Sequence, residues 1–244
     1  MLLKILCSSS SGNCYLLESK AEILILECGV PLIKVKKAID FDLTKIRGVL
    51  LSHGHQDHAK YFKQYLDAGI KIYTGEKTIE MLGVKNHNLI PIREKQNYQI
   101  GEFLVKAFPL EHDCYNLGFL LHNFETGLIC YICDTAYCPF TFKGLNNILI
   151  EANYSDEIID DKLLDGTAKL YVHKRILTHH MALKTTKAFL QANDLSKVAN
   201  IVLLHLSMDN ASINQFRKEV TALTGKQVFI AGPGLNIELN KTGI

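Results

Sequence analysis

The chain has 244 residues, 48% of them hydrophobic and 21% charged, the balance of an ordinary globular protein. No apolar stretch approaches the roughly 20 residues of a membrane span, and no period marks a solenoid or propeller. The formal net charge of +2 permits a local basic groove for nucleic acid without demanding one.

From the start, Met1-Leu2-Leu3-Lys4-Ile5-Leu6-Cys7 carries a lysine inside a short apolar run, which suits a first strand better than a lipoprotein signal. Strands are predicted at Leu2–Leu6, Cys14–Leu17, Ile23–Glu27, Val49–Leu51, Ile70–Tyr73, Phe103–Phe108 and Leu117–Leu121. Further strands are predicted at Leu128–Cys133, Ile148–Ile150, Ile176–Leu177, Ile201–Leu204, Val228–Ile230 and Leu235–Leu239. Between them, Lys60–Ala68 places Phe62, Tyr65 and Leu66 on one helical face and stops at Gly69. Ser212-Ile213-Asn214-Gln215 reads as a capping box opening a helix with Phe216, Val220 and Leu223 on its apolar side. Other helices are predicted near Leu32–Ile39, Lys77–Leu82, Ser155–Leu164 and Lys184–Gln191. Many short strands with interspersed helices predict a layered α/β fold with two sheets. No Pro/Gly/Ser-rich stretch or like-charge run interrupts the chain, so one domain is expected over residues 1–244.

The cysteines Cys7, Cys14, Cys28, Cys114, Cys130, Cys133 and Cys138 are odd in number and scattered, which predicts reduced thiols in a cytoplasmic protein. Cys130 and Cys133 spell C-x-x-C, yet they lie in a strand-like apolar run. Residues three apart in a strand point to opposite faces, so both are expected to be small buried hydrophobes.

After the apolar run Ile46–Leu51 comes the octad Ser52-His53-Gly54-His55-Gln56-Asp57-His58-Ala59. In a chain leaving a strand, His53 and His55 at i and i+2 can converge on one ion. Asp57 and His58, past the next turn, can face a second. Gly54 is expected to let the backbone bend sharply between ligands. Imidazole and carboxylate without thiolate suit zinc, manganese, iron or cobalt in an open site, and an open coordination position points to catalysis. Three further residues each end an apolar run: His112 after Phe108–Leu110, Asp134 after Leu128–Cys133, and His205 after Ile201–Leu204. With the octad they complete two three-residue sets and one bridge.

This H-x-H-x-D-H stretch, with a His, an Asp and a His at later strand ends, resembles the metallo-β-lactamase superfamily. The resemblance implies an αβ/βα four-layer sandwich of two mixed β-sheets flanked by helices, with a dinuclear site at their common edge. It implies that His53, His55 and His112 bind the first metal, that Asp57, His58 and His205 bind the second, and that Asp134 bridges. The implied cofactors are two divalent ions per chain, zinc first, with manganese, iron or cobalt as alternatives. Four flanking stretches, Cys7–Cys14 (CSSSSGNC), Glu151–Tyr154 (EANY), Thr178–Met181 (THHM) and His205–Asn210 (HLSMDN), carry a narrower resemblance, to the WalJ/YycJ (VicX) family. Those proteins are regarded as metal-dependent nucleases acting on DNA. The chain departs from the family at Glu27, where an Asp commonly orients the metal-site loop, at Tyr154 in place of a His, and at Thr178-His179 before His180.

A metal-bridging hydroxide attacking phosphorus is the implied chemistry. Asp57 and His180 are the implied catalytic residues, with His180 as proton donor to the leaving oxygen and His179 as its rival. Phosphodiesterases, thioesterases and lactonases share the ligand pattern, and the WalJ-like flanks favour a DNA nuclease acting from a 5′ end. The alternative is a phosphodiesterase for cyclic nucleotides or another small phosphodiester. The Ser8–Asn13 loop either holds a phosphate at the rim or is a plain turn. His87, His122 and His173 are expected to be structural or solvated. Lys34, Lys36 and Lys37, with Lys169, His173, Lys174 and Arg175, either touch a nucleic-acid backbone or are solvated faces. The intervals from Asp134 to His205 and from His58 to His112 leave no room for a large inserted domain or a long tRNA-binding arm. A nucleic acid or nucleotide substrate is therefore engaged by the chain's own loops or across a homodimer.

Overall fold

A computed structural model describes residues 1–164 and 176–241. The first sheet gathers β1 (Leu2–Ser9), β2 (Gly12–Glu18), β3 (Ile23–Leu26), β4 (Ile46–Leu50), β5 (Ile72–Thr74), β6 (Leu89–Pro91) and, from the far end of the chain, β14 (Asn236–Glu238). Its order is β14-β1-β2-β3-β4-β5-β6, antiparallel as far as β3 and parallel from there to β6. The second gathers β7 (Asn97–Ile100), β8 (Phe103–Leu110), β9 (Asn116–Asn123), β10 (Gly127–Ile132), β11 (Leu145–Glu151), β12 (Asn200–Leu204) and β13 (Gln227–Ile230). It repeats the plan, antiparallel through β7-β8-β9-β10 and parallel through β10-β11-β12-β13.

Three apolar layers follow from the two-residue strand period. On β2, Tyr15 and Leu17 point between the sheets, while Cys14 and Leu16 point to the outer helices. On β12, Val202 and Leu204 face the inter-sheet core and Ile201 and Leu203 the opposite face. Strands covered on both faces read as continuous apolar runs, which is why they were visible in the sequence. Helices α1 (Leu32–Ala38) and α3 (Phe62–Asp67) cover the first sheet with Val35, Phe62, Tyr65 and Leu66. Helices α6 (Leu183–Ala192) and α7 (Ile213–Thr224) cover the second with Phe189, Leu190, Phe216 and Val220. The architecture is thus the expected four-layer sandwich. In its middle, Tyr131 packs edge-on against Tyr15 and stacked on Phe119, with centroids 5.9 and 6.2 Å apart. Such pairs add about 0.5–1.5 kcal/mol each beyond area burial.

Several local expectations change. Residues 176–179 are helical, not a strand, because two apolar residues carry no period of their own. Strands β6 and β7 went unread: both are sheet edges, one containing Pro91 and the other mostly polar, and edge strands need no apolar run. The Lys60–Ala68 helix begins earlier, as the single turn α2 (Gln56–Ala59) inside the octad, and resumes as α3. Ser212 does accept the Gln215 N–H (3.4 Å), but the Gln215 amide reaches Glu219 and Glu157 instead of closing a capping box. Cys130 and Cys133 fall in different apolar layers, as the strand period requires, and all seven cysteines are free. His87 and His122 are exposed, whereas Lys169, His173, Lys174 and Arg175 lie outside the described residues.

Candidate metal centre

All seven predicted ligands lie just past strand ends and converge. β4 delivers His53 and His55 in extended backbone and then Asp57 and His58 on α2. β8 delivers His112, β10 Asp134 and β12 His205. The α2 turn is seated on the loop after β3, with Cys28 N–H donating to the His58 carbonyl at 2.8 Å. Asp134 and His205 hold φ of +52° and +53°, and Glu27, at the end of β3, holds +65°. Non-glycine residues in this region cost of order 1–3 kcal/mol each and cluster where a site requires the direction they impose. Gly54, by contrast, is not left-handed. The expected sharp bend is absent, and what the missing side chain provides is space, since a Cβ there would lie 2.8 Å from Met81 Sδ.

In the first set, each histidine has one nitrogen occupied and the other turned inward. His112 Nδ1–H donates to the His179 carbonyl (3.0 Å), leaving Nε2 with its lone pair. His55 Nε2 lies 3.2 Å from Asp113 Oδ1, and its Nδ1 turns toward His112. His53 Nδ1 meets Ser52 Oγ (2.9 Å), while its Nε2 is buried without a hydrogen-bond partner. His55 Nδ1 and His112 Nε2 then face each other at 3.2 Å, about the 3.3 Å that separates two donors on one tetrahedral zinc. Burial holds the imidazoles of His53 and His112 below their ordinary values, so both favour the neutral, ligating form. Cys114 Sγ joins these three rings in one group of ligand atoms, all within 4.8 Å of one another. Burial pushes this thiol up to about 11.

The second set comprises Asp57, His58, Asp134 and His205. Asp57 Oδ2 lies 3.4 Å from His58 Nε2 and 3.3 Å from His205 Nε2. Asp134 Oδ2 lies 3.3 Å from His58 Nε2, 3.7 Å from His53 Nε2 and 3.9 Å from His112 Nε2, between the two sets. His205 Nδ1 is 2.6 Å from Asp134 Oδ1, but that contact lacks hydrogen-bond alignment, so both buried His205 nitrogens are left without a hydrogen bond. Unsatisfied buried groups cost about 1–3 kcal/mol each, and a divalent cation would satisfy them. Burial pushes the His58 and His205 imidazoles down, yet the surrounding carboxylates, Asp134 first, outweigh it and raise both. Burial likewise opposes ionisation of Asp57, and its histidine neighbours reverse that, holding it well below the carboxylate range.

Supporting groups hold these rings. Glu27, the departure from the family's Asp, is fully buried and accepts from Ser52 N–H (3.2 Å) and Tyr131 O–H (2.9 Å), with Oε2 3.4 Å from His58 Nδ1. The longer side chain spans from the inter-sheet core to the ligand. The Ser8–Asn13 loop divides: Ser8 Oγ accepts the His205 N–H (2.9 Å), and the Asn13 amide donates to His58 Nε2 (3.0 Å) and Asp57 Oδ2 (3.3 Å). Only Ser9 and Ser10 reach the rim of the cavity, of about 500 Å³, that opens over both donor sets.

His180 lines that cavity, its Nδ1 2.7 Å from Glu151 Oε1. Glu151 is fully buried, and its other oxygen accepts the Thr135 N–H (2.9 Å). Burial lowers the His180 imidazole, but the Glu151 carboxylate more than compensates and raises it. His179, its rival, also lines the cavity, and its carbonyl holds His112. Tyr154 is buried, bridging by backbone to Ala182. Sequence reasoning missed the roles of Ser52, Asp113, Cys114 and Glu151. Only Glu151 carried a signal, ending the apolar strand β11 as the ligands end theirs.

Residues 9–121 match the family profile described as the metallo-beta-lactamase superfamily. The chain is 24% identical over 252 residues to a Bacillus anthracis protein named exodeoxyribonuclease YycJ, covering 96% of this chain and 92% of that one. It is 25% identical over 231 residues to exodeoxyribonuclease WalJ of Streptococcus pneumoniae, covering 84% and 81%. Its fold is similar to that of the metallo-beta-lactamase fold protein YhfI from Bacillus subtilis, with a TM-score of 0.73 and 17% identity over 97% of this chain and 98% of that one. The chain is thus similar to the metallo-beta-lactamase superfamily over residues 9–121, shares the fold of that YhfI protein, and is similar over most of its length to the YycJ and WalJ proteins.

Proposed function

We propose that this hydrolase cleaves phosphodiester bonds of DNA from a 5′ end, as one catalytic domain using two divalent ions, zinc first. His53, His55 and His112 would hold one ion and Asp57, His58 and His205 the other, with Asp134 between them. Ions held there supply a nucleophile at neutral pH and offset negative charge developing on a phosphoryl group. The observation that carries the reading is the His180–Glu151 pair set beside both donor groups in an open cavity. Glu151 holds His180 Nδ1–H, which leaves Nε2 to give a proton to the departing oxygen, and the Glu151 carboxylate raises the imidazole's pKa, which favours its protonated form. Asp57, which also lines the cavity, is the carboxylate placed to take a proton from the attacking group. The relatives named exodeoxyribonucleases support DNA as substrate.

The test is a substrate panel of 5′-labelled linear DNA, RNA and cyclic mononucleotides with zinc or manganese, using Asp134→Ala as the control. Release of nucleotides from the labelled DNA end, lost in the variant, is expected. Intact DNA alongside rapid cyclic-nucleotide hydrolysis would select the small-phosphodiester reading, which the cavity of about 500 Å³ and the net charge of only +2 favour.

A further inference from the structure

We propose that Cys114 is a thiolate ligand of the first ion, making that half-site a set of three histidines and one cysteine. The inference rests on the reading of His53, His55 and His112 as ligands. Cys114 stands two residues beyond His112 in the turn between β8 and β9. Its Sγ and one nitrogen from each of the three rings form four donors all within 4.8 Å of one another. In a tetrahedral zinc site with Zn–N of 2.0–2.1 Å and Zn–S of about 2.3 Å, donor atoms are separated by roughly 3.3–3.6 Å. Small side-chain rotations would bring the four atoms to one ion; with Asp134 they make five donors, so the nucleophile of the proposed reaction would be held at the second ion.

An independent sign comes from His53, one of the four, whose Nε2 is fully buried and has no hydrogen-bond partner. Asp113 is the competing donor, with Oδ1 3.2 Å from both His55 Nε2 and His112 Nε2. Its oxygen stands as close to the inward nitrogen of His112 as to His55, so the test includes an Asp113 variant. Binding exchanges the thiol proton for the metal–sulfur bond, and the proton leaves to solvent. A thiolate softens the half-site toward zinc and cobalt and away from magnesium and manganese.

The experiment loads the full chain with Co(II) and records its absorption spectrum. Visible ligand-field bands report cobalt in the site, and a near-ultraviolet sulfur-to-cobalt charge-transfer band reports the thiolate. We expect both bands in the native protein. In Cys114→Ala the charge-transfer band should vanish while visible bands remain, and zinc affinity should fall at least about tenfold, the lower bound for losing even an outer partner of a ligand. Asp113→Asn should keep the charge-transfer band. Visible bands without charge transfer in the native protein, or a charge-transfer band that survives Cys114→Ala, would overturn the cysteine and leave the histidine reading standing. Absence of all cobalt bands in the native protein would overturn both. The native spectrum is decisive whether or not a variant folds.

Discussion

At the residue scale, the chemistry depends on which atom each side chain has already committed. His180 gives up Nδ1 to Glu151 and has its pKa raised by that carboxylate. A proton donor works below its pKa and fails as pH rises through it. Glu151→Gln removes the charge, lowers the His180 pKa and moves the alkaline limb of kcat to lower pH, which a pH–rate profile reads directly. An unmoved limb would exclude His180 as the donor. Glu27 commits both oxygens, to Ser52 and Tyr131, and faces His58 with one of them. Glu27→Gln should weaken binding of the second ion by about 10- to 100-fold, as loss of an outer partner does. Tyr131→Phe, which removes one hydrogen bond and keeps the charge, should cost less, and calorimetric titration with zinc compares the two. The octad was legible because its spacing alone makes a chance origin rare. The roles of Asp113, Ser52 and Cys114 were not, because a carboxylate, hydroxyl or thiol next to a ligand in sequence has no assigned partner until the rings are oriented.

At the element scale, the site depends on how the single turn α2 is seated. A Cβ on Gly29 would lie 1.8 Å from the Asp57 carbonyl oxygen and 2.6 Å from Asn13 N, both backbone atoms that no rotamer change can clear. Gly29→Ala must therefore push α2 away from the β3 loop. We expect about 1–3 kcal/mol of destabilisation from overpacking, together with weaker metal binding, measured by thermal unfolding with and without zinc. An effect on stability that leaves zinc affinity untouched would show that α2 is not what positions Asp57 and His58. Strands buried on both faces were read correctly from their apolar runs, and two of the four edge strands, β6 and β7, were missed. The turn α2 was also missed, because one helical turn of Gln, Asp, His and Ala carries no apolar period and forms against Cys28 and Gly29 rather than by its own propensity.

At the scale of the whole molecule, seven buried or partly buried imidazoles and several carboxylates meet at one end of two sheets, and a folded chain that binds metal gains stability that the unfolded chain does not. Chelation should lower the unfolding temperature, and zinc at about 1,000 times its Kd should restore about 4 kcal/mol. A chelated protein with an unchanged unfolding temperature would mean that the fold holds no ion. In the chelated protein, Asp57, Asp134 and Glu151 have carboxyls depressed below their ordinary values of 3.8, 3.8 and 4.5. Their contribution is present above those values and is lost as pH falls through them. Burial also depresses His53 below 6.5, and its contribution fades in the same direction, below 6.5. Urea unfolding at a series of acidic pH values should show this loss, and stability flat down to pH 3 would contradict the depressed carboxyls. Taken by itself, the sequence determined the layered α/β class, the strands buried on both faces and the seven ligand-type residues, because apolar period and ligand spacing are local properties of the chain. Only the tertiary structure decided which nitrogen each histidine offers, that Glu27 reaches both Tyr131 and Ser52, that Glu151 stands behind His180 and that Cys114 lies with the first set. Those are contacts between residues far apart in the chain or side-chain orientations, and only the packing of the two sheets fixes them.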